Sequence, residues 1–85
     1  MPIRRNEVMS IIRQEPFAYR AAYDASGNVL YEGWADPGTA SSAATWIIAK
    51  HTYDANNRIT LTEWAGTPTA SFTATWDNRT TETYV

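Results

Sequence analysis

The sequence has no cysteine and a single histidine, His51. Without cysteine there is no disulfide and no thiolate metal site. One histidine also leaves zinc short of ligands and gives no pattern for a nucleophilic triad. Its chain neighbours, Lys50 and Thr52, include no acid, so His51 reads as a pairing or surface residue in mid-strand. There is no basic excess either. Seven Lys and Arg against nine Asp and Glu give a formal net charge of −2, which argues against a nucleic-acid partner, because phosphate binding needs clustered positive charge. No apolar run approaches the roughly 18 residues of a membrane span, and no apolar h-region marks a signal peptide. The chain therefore reads as soluble and unexported. No cofactor motif occurs, and nothing selects a catalytic pair among the nine acids, so the expectation is a protein that is not an enzyme and carries no metal or cofactor.

What the chain does have is aromatic mass and repetition. With 85 residues it makes one domain, and a domain this small buries only about 60–65% of its unfolded surface. Its stability then rests on a dense core or on neighbours, and aromatics make up 13% of the residues, four of them Trp. A shift of thirty residues lays 23–46 over 53–76 without a gap. Tyr23-Asp24-Ala25 falls on Tyr53-Asp54-Ala55, Trp34-Ala35 on Trp64-Ala65, Thr39-Ala40-Ser41 on Thr69-Ala70-Ser71, and Ala44-Thr45-Trp46 on Ala74-Thr75-Trp76. Two copies are too few for a solenoid, so they read as two similar β-hairpin units folded against each other, with Trp46 and Trp76 as equivalent core anchors.

Period-2 alternation supports that reading. Phe17, Tyr19, Ala21 and Tyr23 share one face of a first strand, and Ala18, Arg20 and Ala22 the other. The turn at 24–28 leads to a return strand over 29–34, broken by Asp36-Pro37-Gly38. In a third strand over 46–53, Trp46 and Ile48 share one face while Ile47, Ala49, His51 and Tyr53 share the other. Apolar residues on both faces mark it as central or as covered by a partner. A second turn follows at 54–57 and a fourth strand at 58–64, with Ile59 and Leu61 expected inward and a β-bulge near Glu63 to accommodate Trp64. Alternation over 72–76 gives a fifth strand, and 80–85 a sixth. The predicted fold is mainly β: a small β-sandwich or barrel of about five to six antiparallel strands.

Residues 1–16 differ from the β-domain, 17–85. Val8, Ile11 and Ile12 have helical spacing, and Pro16 ends any helix there. About ten residues is marginal for an isolated helix, so this segment reads either as a terminus that is frayed or packs on the chain's own core or, in the functional reading, as an arm or short helix that docks on a neighbouring subunit through Arg4, Arg5, Val8, Ile11, Ile12 and Arg13. Asp24 and Asp54 recur at one repeat position, but a calcium loop needs several oxygens at alternating positions and Arg58 occupies one of them, so both read as turn-forming aspartates. Trp34, Trp64 and the tyrosines offer a second functional reading: a stacking platform in a small carbohydrate- or ligand-binding module.

The run Tyr23 to Asn28, then Ala35-Asp36-Pro37-Gly38-Thr39, Ala43-Ala44-Thr45-Trp46, Thr52-Tyr53-Asp54, Trp64-Ala65, Phe72 and Trp76-Asp77-Asn78-Arg79 resembles a family of small proteins encoded among the structural genes of tailed bacteriophages. It departs from that pattern at Ile47-Ile48-Ala49 and at Gly66-Thr67-Pro68. The resemblance implies a non-enzymatic virion component, made in the host cytoplasm, that serves in head decoration, head–tail joining or the tail. Its partners would be other virion proteins and further copies of itself, with no nucleic acid and no membrane.

Overall fold

The computed structural model describes residues 17–66 and 70–85. Residues 1–16, including the arm positions Arg4, Arg5, Val8, Ile11, Ile12 and Arg13, lie outside the described residues. Four strands, β1 (Ala18–Tyr23), β2 (Val29–Ala35), β3 (Ile47–Tyr53) and β4 (Ile59–Trp64), form one antiparallel sheet in the order β1-β2-β3-β4.

The two hairpins are built alike, residue for residue. In the first turn Asp24 Oδ1 accepts the backbone N–H groups of Ser26 and Asn28, both at 2.9 Å. In the second, Asp54 Oδ1 accepts those of Asn56 at 2.8 Å and Arg58 at 3.0 Å. An aspartate that holds the backbone two and four residues on is an Asx turn. The left-handed residue of each turn is Gly27 (φ 85°) in one copy and Asn57 (φ 62°) in the other, the two residue types that tolerate that region best. The Arg58 N–H, helped by Asn56 and the Arg58 side chain, holds the Asp54 carboxyl below the usual carboxylate range. Asn28 Nδ2 donates to Asn57 Oδ1 at 2.9 Å and ties the turns together.

Register assigns every strand residue to a face, because directly paired residues project to the same side. One face carries the rows Arg20–Gly33–Ile48 and Ala22–Tyr31–Lys50–Glu63; the other carries Tyr19–Trp34–Ile47, Ala21–Glu32–Ala49–Trp64 and His51–Thr62. The first face is closed. Tyr31, Ala35, Ile48 and Ala65 are buried beneath Trp46, Ala74 and Trp76. Trp46 is fully buried and donates its indole N–H to the Ala40 carbonyl at 3.0 Å. Trp76 is 5% exposed and packs on Trp46 with centroids 6.1 Å apart. Both indoles lie over Gly33, where a Cβ would come within 2.7 Å of Trp76 Cε3, so glycine is required there by close approach. The C-terminal segment forms the rest of the lid. Asp77 N–H donates to Ser41 O, Tyr84 OH to Arg79 O, and the Arg79 guanidinium sits 4.8 Å from the Trp76 ring centroid.

The expected equivalence of Trp46 and Trp76 as core anchors is therefore seen, and so are the two faces of β3 and its central place. Other expectations change. Residues 72–76 and 80–85 meet the sheet through isolated bridges, Trp46 with Ala74 and Ala65 with Tyr84. The sheet has four strands rather than five or six, and among the described residues it closes into neither a sandwich nor a barrel. A turn at Phe72 and Thr73 interrupts the expected fifth strand at its start, and a 3-10 turn over Trp76–Asn78 follows at its end. No bulge falls near Glu63. The register slips instead between Ala22 and Tyr23 and between Thr52 and Tyr53, next to the Asx turns. Trp64 keeps parity with Thr62, which leaves Ile59 and Leu61 half exposed rather than inward.

Candidate functional site on the open face

Among the described residues the second face is covered at one end only. Ile47, Ala49, Trp64 and Ala70 are buried there with Trp34 and Phe72 packed against them, and Phe17 stacks on Phe72 at 6.1 Å. Across this face runs a row of rings. Trp34 of β2 and Trp64 of β4 reach over β3 and meet above Ala49, with centroids 5.9 Å apart and planes 28° apart. The contact needs a small residue beneath it, and Ala49 is 1% exposed. Tyr19 of β1 extends the row, 5.6 Å from Trp34. Exposure grades along it: Trp64 is 7% exposed, Trp34 half-buried and Tyr19 51% exposed. The indole N–H of Trp64 is buried without a hydrogen-bond partner among the described residues.

Beside the rings a polar chain crosses all four strands. Tyr19 OH donates to Glu32 Oε2 at 2.7 Å. Glu32 Oε1 pairs with His51 Nε2, and His51 Nδ1 lies 2.9 Å from Thr62 Oγ1. The carboxylate only accepts, so Nε2 carries a proton, and in the neutral ring Nδ1 accepts from the Thr62 hydroxyl. The Glu32 and His51 side chains are 24% and 11% exposed. Burial, with the hydrogen bond to Glu32 second, pushes the Tyr19 hydroxyl up to about 12. On the same face Tyr53 donates its hydroxyl to Val29 O, and burial, then the charges of Asp24 and Glu32, raise it above the ordinary tyrosine value. Glu32, His51, Thr62, Ile59, Trp34 and Trp64, with Ala49 among them, line a cleft of about 380 Å³.

Glu32–His51–Thr62 is an acid–imidazole–hydroxyl sequence: of the two readings of His51, pairing or surface, the structure shows the pairing one, with partners that its chain neighbours did not suggest. The hydroxyl projects from the sheet face, whereas strand N–H groups lie in the sheet plane, so neighbouring backbone donors do not converge with it to hold an oxyanion. What the arrangement supplies is a set of fixed donors and acceptors beside fixed rings. The expected Trp34–Trp64 pairing is present. Asp24 and Asp54 are committed to their turns. Among the described residues no group of three or more His, Asp or Glu side chains is placed to hold a metal ion. Glu32 and Thr62 carried no signal of their own in the sequence. Thr62 follows from His51 once the 54–58 turn fixes the hairpin, but Glu32 depends on the β2–β3 register, which the long 36–46 connection leaves open.

No family model, curated protein or solved structure matches the chain.

Proposed function

We propose that this protein is a non-enzymatic structural component of a tailed-bacteriophage virion, acting by assembly with other virion proteins and with copies of itself. The observation that carries the assembly role is the outer strand β4. Ile59, Thr60 and Leu61 are all exposed, and Ile59 and Leu61 are 54% and 50% accessible. Edge strands in proteins that stay alone are blunted by charge, proline or short length. The far end of β4 is already paired, since Trp64 and Val85 exchange backbone hydrogen bonds at 2.9 Å, but over Ile59, Thr60 and Leu61 an apolar, β-favouring stretch ends the sheet among the described residues. A neighbour that adds a strand to β4 would bring the count to five and cover both side chains. The virion setting rests on the residue resemblance, and residues 1–16, through Arg4, Arg5, Val8, Ile11, Ile12 and Arg13, serve as the second attachment element.

The test is mass spectrometry and imaging of purified particles. The protein is expected there in several copies per particle. Its presence in infected-cell lysate but absence from particles would reject the role. Removing residues 1–16 is expected to leave the β-domain folded by circular dichroism while abolishing incorporation. Leu61→Lys is expected to do the same with an unchanged melting temperature.

A further inference from the structure

We propose that the open-face cleft binds a neutral pyranose sugar, stacked on Trp34 and hydrogen-bonded to Glu32 and Thr62. This goes beyond a role in assembly and is independent of it, since it concerns the isolated domain.

The rings come first. A pyranose presents a face of C–H groups, and the electron-rich face of an indole is the surface that suits it. Trp34 is held between Trp64 at 5.9 Å and Tyr19 at 5.6 Å, so its orientation is set before a ligand arrives and little ordering entropy is lost on binding. The hydroxyls of the sugar then need acceptors and donors at fixed positions beside the ring. Glu32 accepts one hydrogen bond at each oxygen, from Tyr19 and from His51. An ionised carboxylate has about four acceptor sites, so roughly half its capacity remains. His51 orients Thr62 from the other side at 2.9 Å, and the threonine hydroxyl retains acceptor capacity toward the cleft.

Size and charge narrow the class. A cleft of about 380 Å³ lies at the small end of the range of roughly 300–1,000 Å³ for small-molecule sites, which suits one or two sugar rings. Among the described residues no Lys or Arg lines it, so phosphate or carboxylate ligands would meet Glu32 there without a Lys or Arg as counter-charge. A quaternary ammonium is favoured by rings that wall it on several sides; Trp34 and Trp64 stack on each other, 28° from parallel, and do not enclose such a cation between them.

The experiment is an NMR titration of the isotope-labelled full chain with methyl β-glucopyranoside, methyl β-galactopyranoside, N-acetylglucosamine and tetramethylammonium chloride. At least one sugar is expected to shift the Trp34 indole and Thr62 signals saturably, with a Kd on the order of 1 mM. Trp34→Ala is expected to weaken that binding about tenfold or more, the equivalent of a lost stacking contact. Glu32→Gln, which keeps the shape, is expected to weaken it too. If Trp34→Ala does not fold, Tyr19→Ala at the exposed end of the row, with Glu32→Gln, carries the test. The proposal is overturned if no sugar in the panel gives saturable shifts, if the shifts map to another surface, if tetramethylammonium alone binds, or if the folded variants bind as the parent does.

Discussion

On one face of the sheet Trp46 and Trp76 lie over Gly33; on the other Trp34 and Trp64 meet over Ala49. Each pair is a repeat position and its counterpart thirty residues on, so one sequence device has been used twice: a duplicated tryptophan and a residue small enough to lie beneath both copies. The outcomes differ because of what crosses above. Over the first pair run the 36–45 connection, which accepts the Trp46 indole N–H at Ala40, and the C-terminal lid with Tyr84 and Arg79. Over the second, among the described residues, only the segment around Ala70 and Phe72 is in place. The first pair becomes core. The second keeps a graded edge from buried Trp64 to exposed Tyr19 and borders the Tyr19–Glu32–His51–Thr62 chain. Duplication thus fixes where aromatics sit, and the path of the chain that crosses above them, not the length of the connection, which is the same in both copies, decides whether they become core.

The largest effect that tests this contrast is truncation of one tryptophan from each pair. Trp46→Ala is expected to cost about 3–5 kcal/mol, enough to unfold a domain of this size. Trp34→Ala, half-buried, is expected to cost about 1–2 kcal/mol. Urea denaturation followed by far-ultraviolet circular dichroism reads both. Equal losses would mean that the open face is core as well.

Next come the small residues under each pair. Gly33→Ala forces a methyl against the Trp76 ring at 2.7 Å, and because that ring is itself buried the strain is expected to cost about 1–3 kcal/mol. Ala49→Gly removes the methyl beneath Trp34 and Trp64 and loosens the strand backbone, for about 1 kcal/mol. A Gly33→Ala protein of parental stability would show that the closed face has slack and is not tightly fitted over β2.

Much of this was legible in sequence, and the limits are physical. The repeat located both tryptophan pairs, both Asx turns and the alternation of β3. Alternation over 72–76 put Phe72, Ala74 and Trp76 on one inward face; Ala74 and Trp76 do lie in the closed-face core, but a turn at Phe72 and Thr73 leaves Phe72 in the cluster on the opposite face. Apolar residues on either side of a turn carry the same spacing as one face of a strand. Ile59 and Leu61 were misplaced for a related reason: an apolar residue on an outer strand has the same composition whether it is covered by its own chain or by a neighbour. The polar chain was invisible because Glu32, His51 and Thr62 come from three strands and meet only through register.

A smaller effect is expected from Glu32→Gln, which separates the polar half of the open face from its aromatic half. The amide keeps the shape but turns one acceptor into a donor, so either the Tyr19 hydroxyl or the His51 N–H loses its partner. The expected cost is about 1 kcal/mol in urea denaturation, with the Trp34–Trp64 contact intact as judged by near-ultraviolet circular dichroism. A loss as large as that of Trp46→Ala would make the polar chain, rather than the rings, the principal support of this face.

The smallest effect is in alkali. Tyr19 releases its proton near pH 12 in the folded protein against about 10 in an unfolded chain, because burial and then the bond to Glu32 favour the neutral hydroxyl. The folded state therefore holds this proton more tightly than the unfolded one. The resulting stabilisation is complete below about pH 10, declines as the unfolded state ionises first, and is gone above about pH 12. Solvent at a residue that is 51% exposed screens the contribution, which keeps it small. Tyr19→Phe has no proton to lose, so the melting-temperature advantage of the parent over this variant is expected to shrink steadily from about pH 10 to about pH 12. Tyr84, raised chiefly by burial under the closed face, is present in both proteins and cancels in the difference. A difference that stays flat across the window would mean that Tyr19 ionises as freely folded as unfolded. Its bond to Glu32 would then not be held in solution, and the open face would be left with its rings but without the fixed acceptor beside them.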